Sequence, residues 1–78
     1  MKELVEFIVK SLVDNPDEVS VYEFQDRATT TLELSVAGSD MGRVIGKSGR
    51  VINSIRAIVQ VLAAKQGKRV NLELLEDQ

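Results

Sequence analysis

The sequence predicts an α+β fold: a three-stranded mixed sheet with three helices on one face, in the order α-β-β-α-α-β. Two periodicities carry this reading. Apolar residues recur at helical spacing near the N-terminus and again after residue 50, while three other stretches alternate apolar and polar residues as half-buried strands do. The third observation is the long segment between the last two strands. It has room for a crossover of two helices, which lets those strands lie parallel in one sheet. At 78 residues the chain makes one small domain, residues 1–78, with a modest core.

The first helix is expected over Lys2 to Val13. Leu4, Val5, Ile8 and Leu12 form its apolar stripe, widened by Phe7, and Lys2–Glu6 and Glu6–Lys10 are i,i+4 pairs on the wet face. Asp14-Asn15-Pro16-Asp17 ends it, because proline disfavours helix at the residue before it. Asp14, Asp17 and Glu18 read as a solvated turn; no ordered set of oxygen ligands with a glycine bend surrounds them. Glu18 to Phe24 is the first strand, rich in β-branched and aromatic residues, and Tyr22 and Phe24 are read as sheet residues. Gln25 to Ala28 is a polar connection. Thr29 to Val36 follows, with Leu32, Leu34 and Val36 toward the core and Thr31, Glu33 and Ser35 away from it. The short link makes the two strands an antiparallel hairpin with one buried face.

Ala37-Gly38 leaves the sheet, and Ser39 or Asp40 can cap a short helix from Met41 to Ile45. Gly46 ends it. Ser48 and Gly49 start a long helix that runs to about Gln66, with Val51, Ile52, Ile55, Ile58, Val59 and Leu62 as its apolar stripe. A thinner seam of Ser54, Ala57, Val61 and Ala64 is expected to pack on another helix of the domain; self-association is the sharper alternative. Gly67 suits the residue just past the helix, and Lys65 suits the negative end of its dipole. Lys68 to Leu75 is the last strand, and Glu76-Asp77-Gln78 a polar tail.

Composition narrows the chemistry. Without cysteine there is no disulfide or thiolate metal site, and without histidine the usual general base near neutral pH is missing. No nucleophile–base pair can be assembled, so catalysis and metal or other cofactors are not expected. No apolar run approaches a membrane span, and Met1-Lys2-Glu3 lacks the basic start of a signal peptide, so a cytoplasmic location is expected. The net charge of −2 conceals a division. Residues 1–40 carry three bases and nine acids, whereas the window from Met41 to Leu72 carries seven bases and no acid. Such a chain can bind a polyanion at one face and repel it elsewhere.

The centre of the basic window is Val44-Ile45-Gly46-Lys47-Ser48-Gly49-Arg50-Val51-Ile52. Two glycines frame a basic tetrad between two helices. Glycine lets a ligand backbone come close, and the start of the second helix points free N–H groups at the loop. Lys47, Arg50 and Arg43 add formal charge. Gly46-Lys47-Ser48 ends like a nucleotide-binding P-loop, but that pattern needs a glycine where Met41 stands, and a strand before the loop. The P-loop reading is therefore rejected.

This stretch resembles the V-I-G-x-x-G-x-x-I signature of KH RNA-binding domains, and the element order resembles their type II, prokaryotic arrangement. The resemblance covers essentially the whole chain and is closest to small bacterial single-KH proteins. It implies a single-stranded RNA-binding protein, an RNA chaperone or post-transcriptional regulator, that clamps the backbone of about four nucleotides with the GxxG loop between two helices. By that resemblance Gly46 and Gly49 allow the close approach, Lys47 and Ser48 hold phosphates, Arg43 and Arg50 assist, and Val44, Ile45 and Ile52 line an aliphatic groove under the bases. It also implies a homodimer, or a heterodimer with a larger KH-containing protein of the KhpB (Jag) type. The alternative is a dimerisation module with weak or incidental nucleic-acid binding, and single-stranded DNA remains open beside RNA.

Overall fold

The computed structural model describes residues 1–76, so Asp77 and Gln78 of the polar tail lie outside the described residues. Helix α1 spans Lys2–Leu12, strand β1 Ser20–Asp26, β2 Thr29–Ser35, helix α2 Met41–Ile45, α3 Arg50–Lys65 and β3 Arg69–Leu74. The sheet order is β1-β2-β3. β1 and β2 are antiparallel, pairing Ser20 with Ser35 through Asp26 with Thr29, and β2 and β3 are parallel, pairing Thr29 with Arg69 through Leu34 with Leu74. This is the expected α+β mixed sheet, with α2 and α3 supplying the crossover.

One layer of side chains joins the sheet to the helices. Val21, Leu32, Leu34, Val70 and Leu72 point from the sheet into a core completed by Val5 and Val9 of α1, Val44 of α2, and Ile52, Ile55, Val59 and Ala63 of α3. Leu32 and Leu34 on the central strand are fully buried. Each such side chain contributes about 1.5–3 kcal/mol relative to leaving it in water. The opposite face of the sheet is open, and Tyr22 and Phe24 stand there exposed.

Several local expectations need correction. On α1 the buried pair is Val5 and Val9, while Phe7 is 71% exposed and Leu12 lies at the margin. Pro16–Glu18 form a 3-10 turn, so β1 begins at Ser20 and runs on to Asp26; the hairpin link is only Arg27-Ala28. The register explains this, because Gln25 and Asp26 still find partners in Thr30 and Thr29. On α3 the stripe narrows to Ile52, Ile55, Val59 and Ala63, and Ile58 is 49% exposed. The thinner seam packs on no helix of the domain: Ser54, Ala57, Val61 and Ala64 are all exposed. With only two other helices, the domain has nothing to lay over that side of α3. The end of α3 follows expectation. Gly67 has φ +69°, its N–H bonds Ala64 O at 3.0 Å, and Lys68 N–H bonds Ala63 O at 2.9 Å, the paired bonds of a Schellman motif.

Candidate nucleic-acid interface

The link between α2 and α3 is four residues long, and its shape follows from two glycines doing different work. Gly46 stops α2 with φ +74° and ψ 172°, a region that is essentially closed to residues with a side chain. Its N–H still bonds Gly42 O at 2.9 Å. A Cβ at this position would collide with Cγ2 of Val51 and lie 2.9 Å from Val51 N, so the turn is packed directly on the start of α3. Gly49 takes the left-handed conformation, φ +75° and ψ 15°, and a Cβ there would meet only the side-chain Nδ2 of Asn53 at 3.3 Å. Between them Ser48 is also left-handed, φ +58° and ψ 26°, which costs a non-glycine residue about 1–2 kcal/mol.

The result is an exposed, cationic tip. Lys47, Ser48 and Arg50 are all exposed. Gly49 N–H closes the turn on Gly46 O at 3.1 Å, while the backbone N–H groups of Lys47 and Ser48 have no partner among the described hydrogen bonds. Two amides without a partner among the described hydrogen bonds, a hydroxyl and two formal charges therefore lie next to the start of α3, where the helix dipole also favours an anion.

The flanking residues divide. Arg43 is exposed but leans back on α1, with Nη1 3.5 Å from Leu12 O and 3.4 Å from an Asp14 carboxylate oxygen. That pair is exposed on both sides and therefore weak, so Arg43 is held only loosely. Val44 is fully buried and Ile52 nearly so; both are core residues, and neither side chain offers surface to a nucleic-acid strand. Their burial departs from the expected aliphatic groove for two reasons: Val44 is the one buried residue of the short α2, and Ile52 belongs to the core-facing stripe of α3 with Ile55 and Val59. Ile45 is partly exposed beside the loop.

Two neighbours belong to the same surface. Arg56 Nε donates to Leu72 O of β3 at 2.8 Å, and its Nη1 donates to Asn53 Oδ1 at 2.9 Å. Asn53 in turn sits against Gly49. The spacing Asn53, Arg56, Gln60, Ala64 beside the apolar stripe was the available sequence signal for this groove.

Asp40, expected as a possible cap of α2, makes no side-chain cap bond. Its buried carboxylate accepts the N–H of Asp14 at 3.1 Å and that of Asn15 at 3.0 Å, plus Asn15 Nδ2 at 3.1 Å. Burial alone would raise its pKa; those hydrogen bonds and the charge of Arg43 outweigh it and hold the pKa below the ordinary aspartate value. Asp40 thus ties the exit of α1 to the start of α2 and fixes the platform that carries the loop.

A sequence profile described as "KhpA/KhpB, KH domain" matches residues 2–74. The chain belongs to the KhpA/KhpB family of KH domains. It is 51% identical over 75 residues to RNA-binding protein KhpA of Clostridium acetobutylicum, covering 96% of this chain and all of that protein. RNA-binding protein KhpA of Borreliella burgdorferi is 49% identical over 95% of this chain and 90% of its own length. That of Chlamydia pneumoniae is 46% identical over 99% of each. No solved structure matches the chain. The KH resemblance therefore holds over residues 2–74. Among the described residues no helix is long and apolar enough to cross a membrane, and no group of three or more acidic or thiol residues is placed to hold a metal ion.

Proposed function

We propose that this chain binds single-stranded RNA by clamping its backbone at Gly46-Lys47-Ser48-Gly49, and that it works in the cytoplasm as an RNA chaperone or post-transcriptional regulator. The observation that carries this reading is the tip itself: unpartnered amides of Lys47 and Ser48 beside the charges of Lys47 and Arg50. Close approach of a phosphate is open there because Gly49 has no side chain and Ser48 has turned outward. Arg43 and Arg50 add attraction, Arg43 after releasing its weak contact with Asp14. Ile45 supplies apolar surface next to the loop, and Asn53 and Arg56 present polar groups to bases that lie over α3. The curated relatives are named RNA-binding proteins, which supports the ligand class.

A second reading concerns association. Ala57, Ile58, Val61 and Leu62 form an open apolar patch on α3, with Val61 58% exposed. This patch supports pairing, either as a homodimer or with a larger KH-containing protein of the KhpB (Jag) type. Two weak four-nucleotide sites held together gain avidity through effective concentration. The patch lies beside the loop surface on α3, so pairing and RNA binding use different residues.

The test is an NMR titration of the chain with a mixed-sequence single-stranded RNA. Amide shifts should concentrate at residues 46–50 and spread to Asn53 and Arg56. Shifts centred on Tyr22 and Phe24 would place RNA on the open sheet face and defeat the loop assignment.

A further inference from the structure

The helices cover one face of the sheet, and the other face carries two aromatic rings in the open. Tyr22 is 50% exposed and Phe24 55%, two residues apart on β1. Rings of this size gain strongly from being covered, and no element of the domain covers these.

The register fixes what surrounds them. Tyr22 pairs with Glu33, and Glu33 pairs with Glu73, so one row across the sheet is a ring followed by two carboxylates. Phe24 stands in a neutral row with Thr31 and Asn71. In the row beyond, Asp26 and Arg69 flank Thr29 and balance one another in charge. Glu33 and Glu73 have no such balance. Like charges directly opposite on neighbouring strands repel, and among the described residues the one ion pair is Arg43 with Asp14, in the helix layer. With three acids against one base, this face repels phosphate. The glycine loop joins α2 and α3 in the helix layer, so an RNA strand held there leaves the open face free.

Rings beside unbalanced carboxylates suit a cation. A guanidinium is attracted to a ring face within about 6 Å of its centre, and it can donate to a neighbouring carboxylate at the same time. Spacing narrows the form of the partner. Side chains two residues apart on a strand stand about 7 Å apart, which is also the repeat of alternate side chains in an extended peptide. Strand β1 is at the edge of the sheet, with β2 its sheet neighbour, so an extended chain reaches the rings from the side.

We propose that this face docks an extended, arginine-rich segment of a partner protein, with one guanidinium over Tyr22 against Glu33 and Glu73 and the next side chain on the same side of the peptide over Phe24. The contact is independent of the loop clamp, and it lets one chain hold a basic protein and RNA on opposite sides.

The test is an NMR titration of the full chain with a ten-residue peptide alternating Arg and Ser, and with the same peptide carrying Glu for Arg. The Arg peptide should shift the amides of residues 20–26, 31–35 and 71–73, and the Glu peptide should leave them unmoved. Tyr22→Thr/Phe24→Thr should weaken the Arg peptide about fivefold or more, for two lost ring contacts. Glu33→Gln/Glu73→Gln should weaken it about threefold or more at low salt. Glu3→Gln/Asp17→Asn removes the same charge from exposed positions outside the sheet and should bind as wild type does. Circular dichroism checks that each variant is folded. No shift on the sheet with the Arg peptide, or equal weakening by the two charge-removing variants, would overturn the proposal. Shifts of Tyr22 and Phe24 on dilution of the chain alone would assign the face to a second copy, and shifts on addition of single-stranded RNA would assign it to nucleic acid; either outcome contradicts docking of a basic segment.

Discussion

Gly46 and Gly49 look equivalent in the sequence and are not equivalent in the fold. Gly46 is required by packing as well as by its dihedral angles, because a Cβ would meet the backbone and side chain of Val51. Gly46→Ala should cost about 2–4 kcal/mol, combining backbone strain with overpacking. Gly49→Ala should cost only about 1–2 kcal/mol, since its left-handed conformation is strained but its neighbour is a movable amide. Urea unfolding of the two variants checks this; equal losses would mean that the Gly46–Val51 contact is misjudged. Asp40 gives a pH test at the same scale. Its folded pKa lies below the ordinary value near 3.9, so the carboxylate's stabilisation is fully present above that value and is lost as pH falls through the folded one. Asp40→Asn should therefore be less stable than wild type at neutral pH, with the gap closing below about pH 4 in thermal unfolding. A gap that persists unchanged to pH 2.5 would contradict the network around Asp14 and Asn15.

Among the elements, α3 carries most of the proposed function because its sides face different surroundings. One side, Ile52, Ile55, Val59 and Ala63, seals the core; a second, Asn53, Arg56 and Gln60, borders β3; a third, Ala57, Ile58 and Val61, faces outward. Periodicity alone merged the first and third, since Ile58 fits a helical repeat as well as Ile55 does. Only the count of helices available to cover α3 separates them. Val61→Asp should leave folding intact and shift the chain toward monomer in light scattering after size exclusion. An unchanged mass, or a wild type already monomeric at high concentration, would remove self-pairing through this face.

At the scale of the whole molecule, the α+β class, the element order and the parallel β2–β3 pairing were legible because alternation and helical repeats are strong and the crossover rule leaves one arrangement. The loop was legible because its glycines and charges are local. Less was legible where tertiary register decides. The strand limits followed from pairing, the burial of Val44 from the shortness of α2 and that of Ile52 from the core-facing side of α3, and the role of Asp40 from contacts 25 residues away in sequence. The charge division gains meaning in three dimensions, since the acid-free window of residues 41–72 carries the loop and the side of α3 that borders β3. Most of the acids sit in the first forty residues. The most direct test of the central claim is fluorescence anisotropy with single-stranded RNA, comparing wild type with Lys47→Asp/Ser48→Asp, with circular dichroism as a folding control. The clamp predicts binding by wild type that the folded acidic variant loses. A native-like acidic variant that binds RNA as tightly as wild type would contradict it.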